Sequence, residues 1–452
     1  MLTSKIARNI GWKTLGTLAE KSLRFFLVAM ISRALGPRIY GQYTYATALA
    51  LLWVQMTDMG LGLFLAREVS KHDVPPAKLI GHVFSLKLVL ALLYLLVIAG
   101  LTWWHFADPE FKSTALFHPR PGPLGWTVAL AGLAGLAVST IESIWQVFRG
   151  VQQLKLEARS SAVFAGAQLA CVSVALALVP TMPAVAHDKG MVMVAIAVAM
   201  LAASLVALGY SVMLLMRVVT PQFGFSMPML QRFTREVLPL GFAIVASLIY
   251  FKIDVPMLRM LRGDVDVGLY NAAYKVLENM SIVPAVLLAA TFPALSATVD
   301  SDPAAASRLH RTTRKVLLLA GLCGAFVLLA VPDLLIAILN GREYAPAAAT
   351  LRALAPSVVL TFVNYLETHM LVAMGLVKAQ MAFAVALIAV NVLANLALIP
   401  ALGGVGAALA TAVTEVVLLA FVLPLVHREL GLRVRAQHQA QLNADGRSVA
   451  AG

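Results

Sequence analysis

The sequence has little charge and few cysteines. Only 13% of its 452 residues are Asp, Glu, Lys or Arg, and 60% are hydrophobic. A soluble protein carries about 25% charged residues, so a water-soluble domain is excluded. The two cysteines, Cys171 and Cys323, lie within apolar runs, which excludes a disulfide framework. The mean hydropathy of +0.84 predicts a polytopic integral membrane protein instead.

Motifs for nucleotide or metal chemistry are also missing. The chain contains no Gly-Lys dipeptide, which excludes a phosphate-binding loop of the nucleotide-hydrolase kind, and no His-Glu-x-x-His metal motif. The longest polar intervals, about 105–124, 217–236 and the tail from 427, are too short for a separate soluble domain. We therefore expect no enzyme, no ATP-driven pump, no metal site and no bound cofactor.

Long apolar runs account for most of the sequence. The fold class that they predict is an all-α integral membrane protein with about twelve transmembrane helices. The predicted spans are 9–33, 41–66, 79–104, 125–148, 160–180, 190–216, 237–260, 267–296, 315–340, 351–375, 379–400 and 403–426.

Lysine and arginine indicate the orientation in the membrane. With a cytoplasmic N-terminus, twenty of the 35 lie in inside segments and nine in outside segments. This bias favours both termini in the cytoplasm. We expect the multi-pass protein in the inner, cytoplasmic membrane. The net charge of +13 then fits anchoring to anionic membrane lipid, and nucleic acid is an unnecessary partner.

The two halves of the chain repeat one another. "GPRIYGQYTYATA" (36–48) aligns without a gap with "GDVDVGLYNAAYK" (263–275), an offset of 227, and Glu142 and Gly150 meet Glu367 and Gly375 at an offset of 225. Parallel repeats of six spans build transporters with a central cavity between two lobes. The predicted organisation has four parts. These are a six-helix N-terminal lobe (1–216), a cytoplasmic linker (217–236), a six-helix C-terminal lobe (237–426) and a cytoplasmic polar tail (427–452).

Polar residues cluster in six of the spans, and in the first, second, fourth and eighth they share one helix face. In the first span, Lys13, Thr17, Glu20 and Arg24 follow i, i+4, i+7 and i+11, which is one face. Each charge at the bilayer centre costs about 2.5–3.5 kcal/mol, so such a face must meet water or protein. Spans one, two, four, seven, eight and ten hold these charges, and the other six hold almost none apart from Lys87.

The charged residues of these faces are the candidate site residues. Guanidinium and ammonium groups in a cavity of low dielectric suit phosphate or carboxylate groups. The cations predicted to line the cavity and bind an anionic headgroup are Lys13, Arg24, Arg67, Arg149, Lys252 and Lys275. The acids predicted to couple an ion or to pair with these cations are Glu20, Asp58, Glu142, Asp254, Glu278 and Glu367.

Structural roles for the same residues stay open. Glu20 and Arg24 are spaced i, i+4 and suit a helix-stabilising pair. Arg67 and Arg149 lie near cytoplasmic helix ends, where snorkelling is an alternative, and Glu142 and Glu367 suit structural pairing with nearby cations.

The motifs "SRALGPRIYGQYTYATALALLWVQMTDMGLGLFLAREVSK" (32–71), "KIDVPMLRMLRGDVDVGLYNAAYKVLENM" (252–280) and "FPALS" (292–296) carry a family resemblance. The sequence resembles the O-antigen-type polysaccharide flippases of the multidrug/oligosaccharidyl-lipid/polysaccharide exporter superfamily. The resemblance implies a twelve-helix, two-lobed transporter with alternating access. It implies as cargo an undecaprenyl-pyrophosphate-linked oligosaccharide, and as further partners the polysaccharide polymerase and export machinery.

Two other functions remain as alternatives. A cation-coupled multidrug or small-molecule exporter of the same superfamily would use Asp58, Asp254 or Glu278 to bind a cation. A membrane scaffold is the least economical, because charged faces inside spans are costly without a function. For either transporter, H⁺ or Na⁺ is the expected coupling ion.

Overall fold

The computed structural model describes residues 2–71, 75–106, 122–182, 185, 187–238, 241, 245, 248–249 and 252–450, and the described residues contain no β-strand. The α-helices of this part of the chain are α1 (Leu2–Val54), α2 (Leu61–Lys71), α3 (Pro76–Phe106), α4 (Pro123–Gly150), α5 (Leu154–Leu178), α6 (Lys189–Met216), α7 (Met227–Arg232), α8 (Asp254–Arg262), α9 (Asp264–Met280), α10 (Ile282–Ser301), α11 (Pro303–Ala330), α12 (Pro332–Leu339), α13 (Ala347–Ala373), α14 (Val377–Leu402) and α15 (Gly404–Ala450).

Helices long and apolar enough to cross a membrane agree closely with the predicted spans. Within the described residues there are nine such helices, or ten with the bent pair Glu20–Thr57 and Leu61–Val69, which turns by 46°. The bent pair covers parts of the first two predicted spans, 9–33 and 41–66, but its bend lies within the second span. Nine of the 24 residues of the seventh predicted span, 237–260, lie outside the described residues. The fold is therefore an all-α membrane-spanning one, in the predicted order of helices.

The ninth span begins earlier than predicted. The sequence predicts 315–340, but α11 starts at Pro303 and ends at Ala330, and Pro332 opens the separate helix α12. Proline cannot continue a helix but fits its first turn, so both helices begin at one. The hydropathy signal missed the first turns of α11 because they are polar.

Two glycines interrupt helices at equivalent places in the repeat. Gly36, inside α1, has φ 72° and ψ 168°, and Gly263, between α8 and α9, has φ 89° and ψ −176°. Positive φ is readily adopted only by glycine. Both breaks are followed at once by a new helical stretch, and their separation equals the 227-residue offset of the repeat.

The helices that follow these breaks touch through a second pair of glycines. A Cβ on Gly41 would lie 1.8 Å from the carbonyl oxygen of Asp264, and one on Gly268 would lie 1.9 Å from that of Pro37. Neither position accommodates a side chain without movement of the backbone. Gly41 and Gly268, which align with each other in the repeat, thus allow the two helices to cross this closely.

The chain forms two compact units. Unit 1 comprises Met1–Arg259 with Gly263–Gly268, and unit 2 comprises Met260–Arg262 with Leu269–Gly452. In unit 1, α4 packs against α6, α1, α2 and α3, and α5 packs against α6 and α1. In unit 2, α13 packs against α11 and α15, and α14 packs against α15.

The predicted polar tail continues α15 as a helix and docks within unit 2. The amide of Gln437 donates to Oδ1 of Asp302 at 3.1 Å, and that carboxylate also caps α11 by accepting from the backbone N–H of Ala305 at 3.0 Å. These hydrogen bonds, the Ala305 one first, hold the pKa of Asp302 below its usual value. Arg433 adds contacts to Asp300 and to the carbonyl of Met374.

Candidate functional site

A buried lysine joins three helical segments of unit 1. Lys87, on α3, is 3% exposed. Its ammonium group donates to the carbonyl oxygen of Ser139 at 2.9 Å, to Oγ of Ser139 at 2.8 Å and to Oγ of Ser143 at 2.7 Å. An ammonium group has three donors, so these contacts on α4 satisfy it.

Asp58 supplies the opposite charge. It follows the short 3-10 turn Gln55–Thr57 that ends α1. Its Oδ1 lies 3.5 Å from Nζ of Lys87 and accepts from Oγ of Ser143 at 3.3 Å. The side chain of Asp58 is 27% exposed, so the pair opens on one side. This opening connects the buried lysine to the surface of unit 1.

Three further charges complete the cluster. Arg24 pairs with Glu20 at 3.0 Å, with side-chain exposures of 46% and 19%, and its guanidinium lies 5.4 Å from the ring centroid of Phe164. Glu142, on α4, is exposed, and the charges that act on it are Arg24, Asp58, Lys87 and Glu20. We call Glu20, Arg24, Asp58, Lys87 and Glu142 the unit 1 charge cluster.

The unit 1 charge cluster lies at the depth of the membrane interior. Lys87 is eleven residues beyond Pro76, the first residue of α3, and Arg24 is twelve residues before the break at Gly36. At about 1.5 Å per residue these separations are about 16–18 Å, half of a hydrocarbon core of about 30 Å. Exposed charge at this depth is too costly to face lipid tails. The open side of the cluster must therefore meet water, a ligand or other polar groups.

The two arginines predicted at the cytoplasmic rim are held by buried acids. Arg67 donates from Nε to Glu68 at 3.0 Å, and Arg232 reaches the other oxygen of Glu68 at 2.9 Å. Arg149 binds Glu157 through Nε and Nη2, at 3.0 and 2.6 Å. Glu68 and Glu157 are 4% and 7% exposed, so both arginines are anchored on protein.

The remaining predicted residues lie along α8, α9 and α13. Lys252 is half-buried just before α8, and Asp254, its first residue, is buried. Lys275 donates to Glu278 at 2.5 Å on the surface of α9. Glu367, in unit 2, is fully buried, and each of its carboxylate oxygens lies 3.1 Å from Nε2 of His310. The side chain of Lys13 lies outside the described residues.

Sequence reasoning missed several buried partners. Lys87 stood as an exception in an apolar span, yet it is the centre of the unit 1 charge cluster. The prediction of an uncharged twelfth span was incomplete, because Glu415 is 5% exposed within α15 and accepts from the amide of Asn364 at 2.7 Å. A count of charges within the spans could have found both residues, but only the structure shows what they bind.

The predicted acids do not gather into a metal site. Among the described residues, no group of three His, Cys, Asp or Glu side chains is placed to hold a metal ion. The unit 1 charge cluster alternates cations and carboxylates, which suits ion pairing and recognition of a charged ligand.

Comparison with known proteins gives a family match and a distant relative. The family described as "Polysaccharide biosynthesis protein" matches residues 6–299, more than half of the chain. "Probable flippase AglR" of Haloferax volcanii is 30% identical over 156 residues, which cover 32% of this chain and 31% of that protein. The alignment thus spans about a third of the relative's length.

Solved structures share the fold at low sequence identity. The lipid II flippase MurJ in an inward closed conformation has a TM-score of 0.70 and 12% identity, over 93% of this chain and 89% of that one. An inward-facing multidrug resistance MATE family transporter of the MOP superfamily has a TM-score of 0.65 and 14% identity, over 94% and 96%. At these identities the likeness establishes the two-lobed helical fold alone. The family match goes further: the chain belongs to the polysaccharide biosynthesis protein family, the polysaccharide flippase family indicated by its sequence motifs.

Proposed function

We propose that the protein is a flippase that moves an undecaprenyl-pyrophosphate-linked oligosaccharide repeat unit across the cytoplasmic membrane by alternating access. The observation that carries the proposal is the unit 1 charge cluster, which is open on one side at the depth of the membrane interior. A headgroup with a pyrophosphate and sugars needs such a polar surface during its passage, while its polyprenyl tail stays in lipid. Family membership supports polysaccharide biosynthesis as the process.

Arg24 is the residue of the cluster best suited to the anionic headgroup. The three N–H donors of Lys87 are occupied by hydrogen bonds to Ser139 and Ser143. Lys87 is therefore proposed to position Asp58 and the surrounding helices and not to bind the headgroup. Arg24 is more exposed, and Nη2 is the nitrogen that contacts Glu20. A guanidinium has five N–H donors in a planar fork, which suits phosphate oxygens. Phe164 beneath the guanidinium holds it in position.

The other predicted cations take roles according to their contacts. Lys275, paired with Glu278 on an accessible surface, is proposed as a second headgroup contact, together with Lys13 and Lys252. Arg67 and Arg149, held by Glu68 and Glu157, are proposed as rim residues that attract the headgroup.

The wider arrangement follows the topology prediction. We infer two six-helix lobes around a central cavity, both termini in the cytoplasm, and a place beside the polysaccharide polymerase. Asp58, Glu142, Asp254 and Glu367 are proposed as acids that respond to a coupling ion, H⁺ or Na⁺.

The test compares two neighbouring cations of α1 in a strain that lacks the gene. Complementation with Arg24→Ala should leave cell-surface glycan strongly reduced, whereas Lys21→Ala, a change to a lysine about 100° around the helix from Glu20, should restore it. Immunoblots of membrane fractions must show equal amounts of both variants. Normal surface glycan with Arg24→Ala would remove the proposed role of this residue.

The same strain distinguishes the exporter alternative. Loss of a flippase changes surface glycan and leaves tolerance of unrelated toxic cations unaltered. Loss of a cation-coupled exporter does the opposite. Increased drug susceptibility with unaltered glycan would overturn the proposed function.

A further inference from the structure

A second buried cluster lies in unit 2, at the end of its membrane helices where α11 begins and α13 ends. We call its four side chains the histidine cluster: His310 and Arg314 of α11, Glu367 of α13 and His427 of α15. Glu367 is fully buried, His310 is 2% exposed, and the side chain of Arg314 is 27% exposed. His427 is exposed. The cluster therefore runs from a buried carboxylate to an imidazole at the surface.

The hydrogen bonds define the protonation state of His427. Nη1 of Arg314 lies 2.5 Å from Nε2 of His427. A guanidinium is always charged and has only donors, so Nε2 must accept and carries no proton. His427 is thus neutral in this structure, with its proton on Nδ1.

Glu367 is a second partner of the same guanidinium, at the longer distance of an ion pair. Nη1 of Arg314 lies 3.9 Å from Oε1 of Glu367. Nε2 of His310 lies 3.1 Å from each of the two oxygens of that carboxylate. Arg314 therefore lies between a hydrogen-bond partner on α15, His427, and an ion-pair partner on α13, Glu367.

The surroundings contain few competing charges. The titratable or charged groups that act on His427 are Arg314, Glu367 and His310. Of the other helices packed on α15, α10 places Asp300 against Arg433, and α14 carries Lys378 in its first turn. Among these charged groups, Arg314 acts most strongly on His427.

We propose that the histidine cluster is a proton-binding site, in which Nε2 of His427 takes a proton from water and Arg314 then moves toward Glu367. The proton binds to the lone pair that accepts from Arg314, so that hydrogen bond is lost and two cations face one another. The guanidinium leaves His427 for the nearby carboxylate, which already binds His310.

Proton binding in this way changes which helices Arg314 connects. With neutral His427 it joins α11 to α15, and with protonated His427 it joins α11 to α13. A charge change at an exposed imidazole thereby biases helix packing. The inference that this proton drives the export step rests on the proposed function, whereas proton binding itself does not.

The first experiment requires no substrate. Thermal unfolding of the purified full-length protein in lipid nanodiscs is followed from about pH 8 to about pH 5, the range in which histidines titrate. Because the native state holds His427 neutral, the wild-type Tm should fall with acidification. The fall should be at least halved in His427→Asn and in Arg314→Gln, but retained in His438→Asn, which changes an exposed histidine farther along α15.

The outcomes distinguish the two levels of the proposal. A pH response of His427→Asn equal to that of the wild type would overturn proton binding, as would an equal flattening in His438→Asn. Arg314→Gln tests the site independently if His427→Asn does not fold. Surface-glycan export is then measured against external and internal pH. If export by His427→Asn no longer depends on pH, proton binding at this site is coupled to export. If export by this variant keeps the pH dependence of the wild type, the site binds a proton but does not drive export, and the coupling inference is overturned.

Discussion

Replacing Lys87 by methionine removes the central charge of the unit 1 charge cluster and keeps most of the side-chain volume. The variant loses three hydrogen bonds, to the carbonyl and hydroxyl of Ser139 and to the hydroxyl of Ser143, at 2.7–2.9 Å. Hydrogen bonds between membrane helices average about 0.6 kcal/mol, so the three contribute about 2 kcal/mol.

The lost ion pair adds to this cost. Removing one partner of a buried pair destabilises by about 3–5 kcal/mol, but Asp58 is 27% exposed and keeps the hydroxyl of Ser143 at 3.3 Å. Part of that penalty is therefore relieved by water. We expect Lys87→Met to lower the free energy of unfolding by about 3 kcal/mol in total.

A double-mutant cycle separates the pair from the lysine's other contacts. Asp58→Asn alone leaves Lys87 without its carboxylate, and the double variant removes both charges of the pair. We expect the double variant to be more stable than the sum of the single changes predicts, by about 1–3 kcal/mol.

The assay is unfolding by SDS titration of the purified protein in detergent micelles. The control is Lys78→Met, at an exposed position on the same helix, which should leave the transition unchanged. Additive single and double variants would refute the ion pair. A Lys87→Met protein within about 0.5 kcal/mol of the wild type would refute the reasoning about the whole cluster.

Two further predictions concern the helix crossing and the start of α11. Gly41→Ala should sharply reduce the yield and Tm of purified protein, because its Cβ would lie 1.8 Å from the carbonyl oxygen of Asp264, whereas Gly100→Ala, with nothing within 4 Å, should be tolerated; equal behaviour of the two would contradict the close crossing. The lowered pKa of Asp302 means that its carboxylate stabilises the fold above the unfolded pKa of about 4 and loses this effect as the pH falls through the lower folded value. Between about pH 5 and pH 3 the Tm of Asp302→Asn should therefore fall less steeply than that of the wild type, and parallel curves would disprove the effect.

Much of the fold could be predicted from local patterns. Hydropathy located the spans because a membrane helix must be apolar over about 20 residues whatever surrounds it. The repeat marked Gly36 and Gly263 as equivalent, and both adopt positive φ. The boundary of α11 was missed because polar first turns carry no hydropathy signal.

The candidate site was predicted only in part. The shared face of Glu20 and Arg24 was visible because both residues lie on one helix, with a spacing that the helical period fixes. Lys87 was passed over because its partners, Asp58, Ser139 and Ser143, lie on other segments of the chain. A hydrogen-bonded lysine and an unpaired one look identical in sequence, so its burial could not be inferred.

The sequence by itself determined that the protein is an all-helical membrane protein, that its halves repeat and that charges lie inside its spans, because these features follow from composition and periodicity. Only the tertiary structure decided which charges are satisfied within the protein and which remain exposed. It anchored Arg149 on Glu157, enclosed Lys87 within α3 and α4, and left Arg24 accessible. These differences depend on distances of a few ångströms between segments far apart in the chain, which helical spacing does not encode.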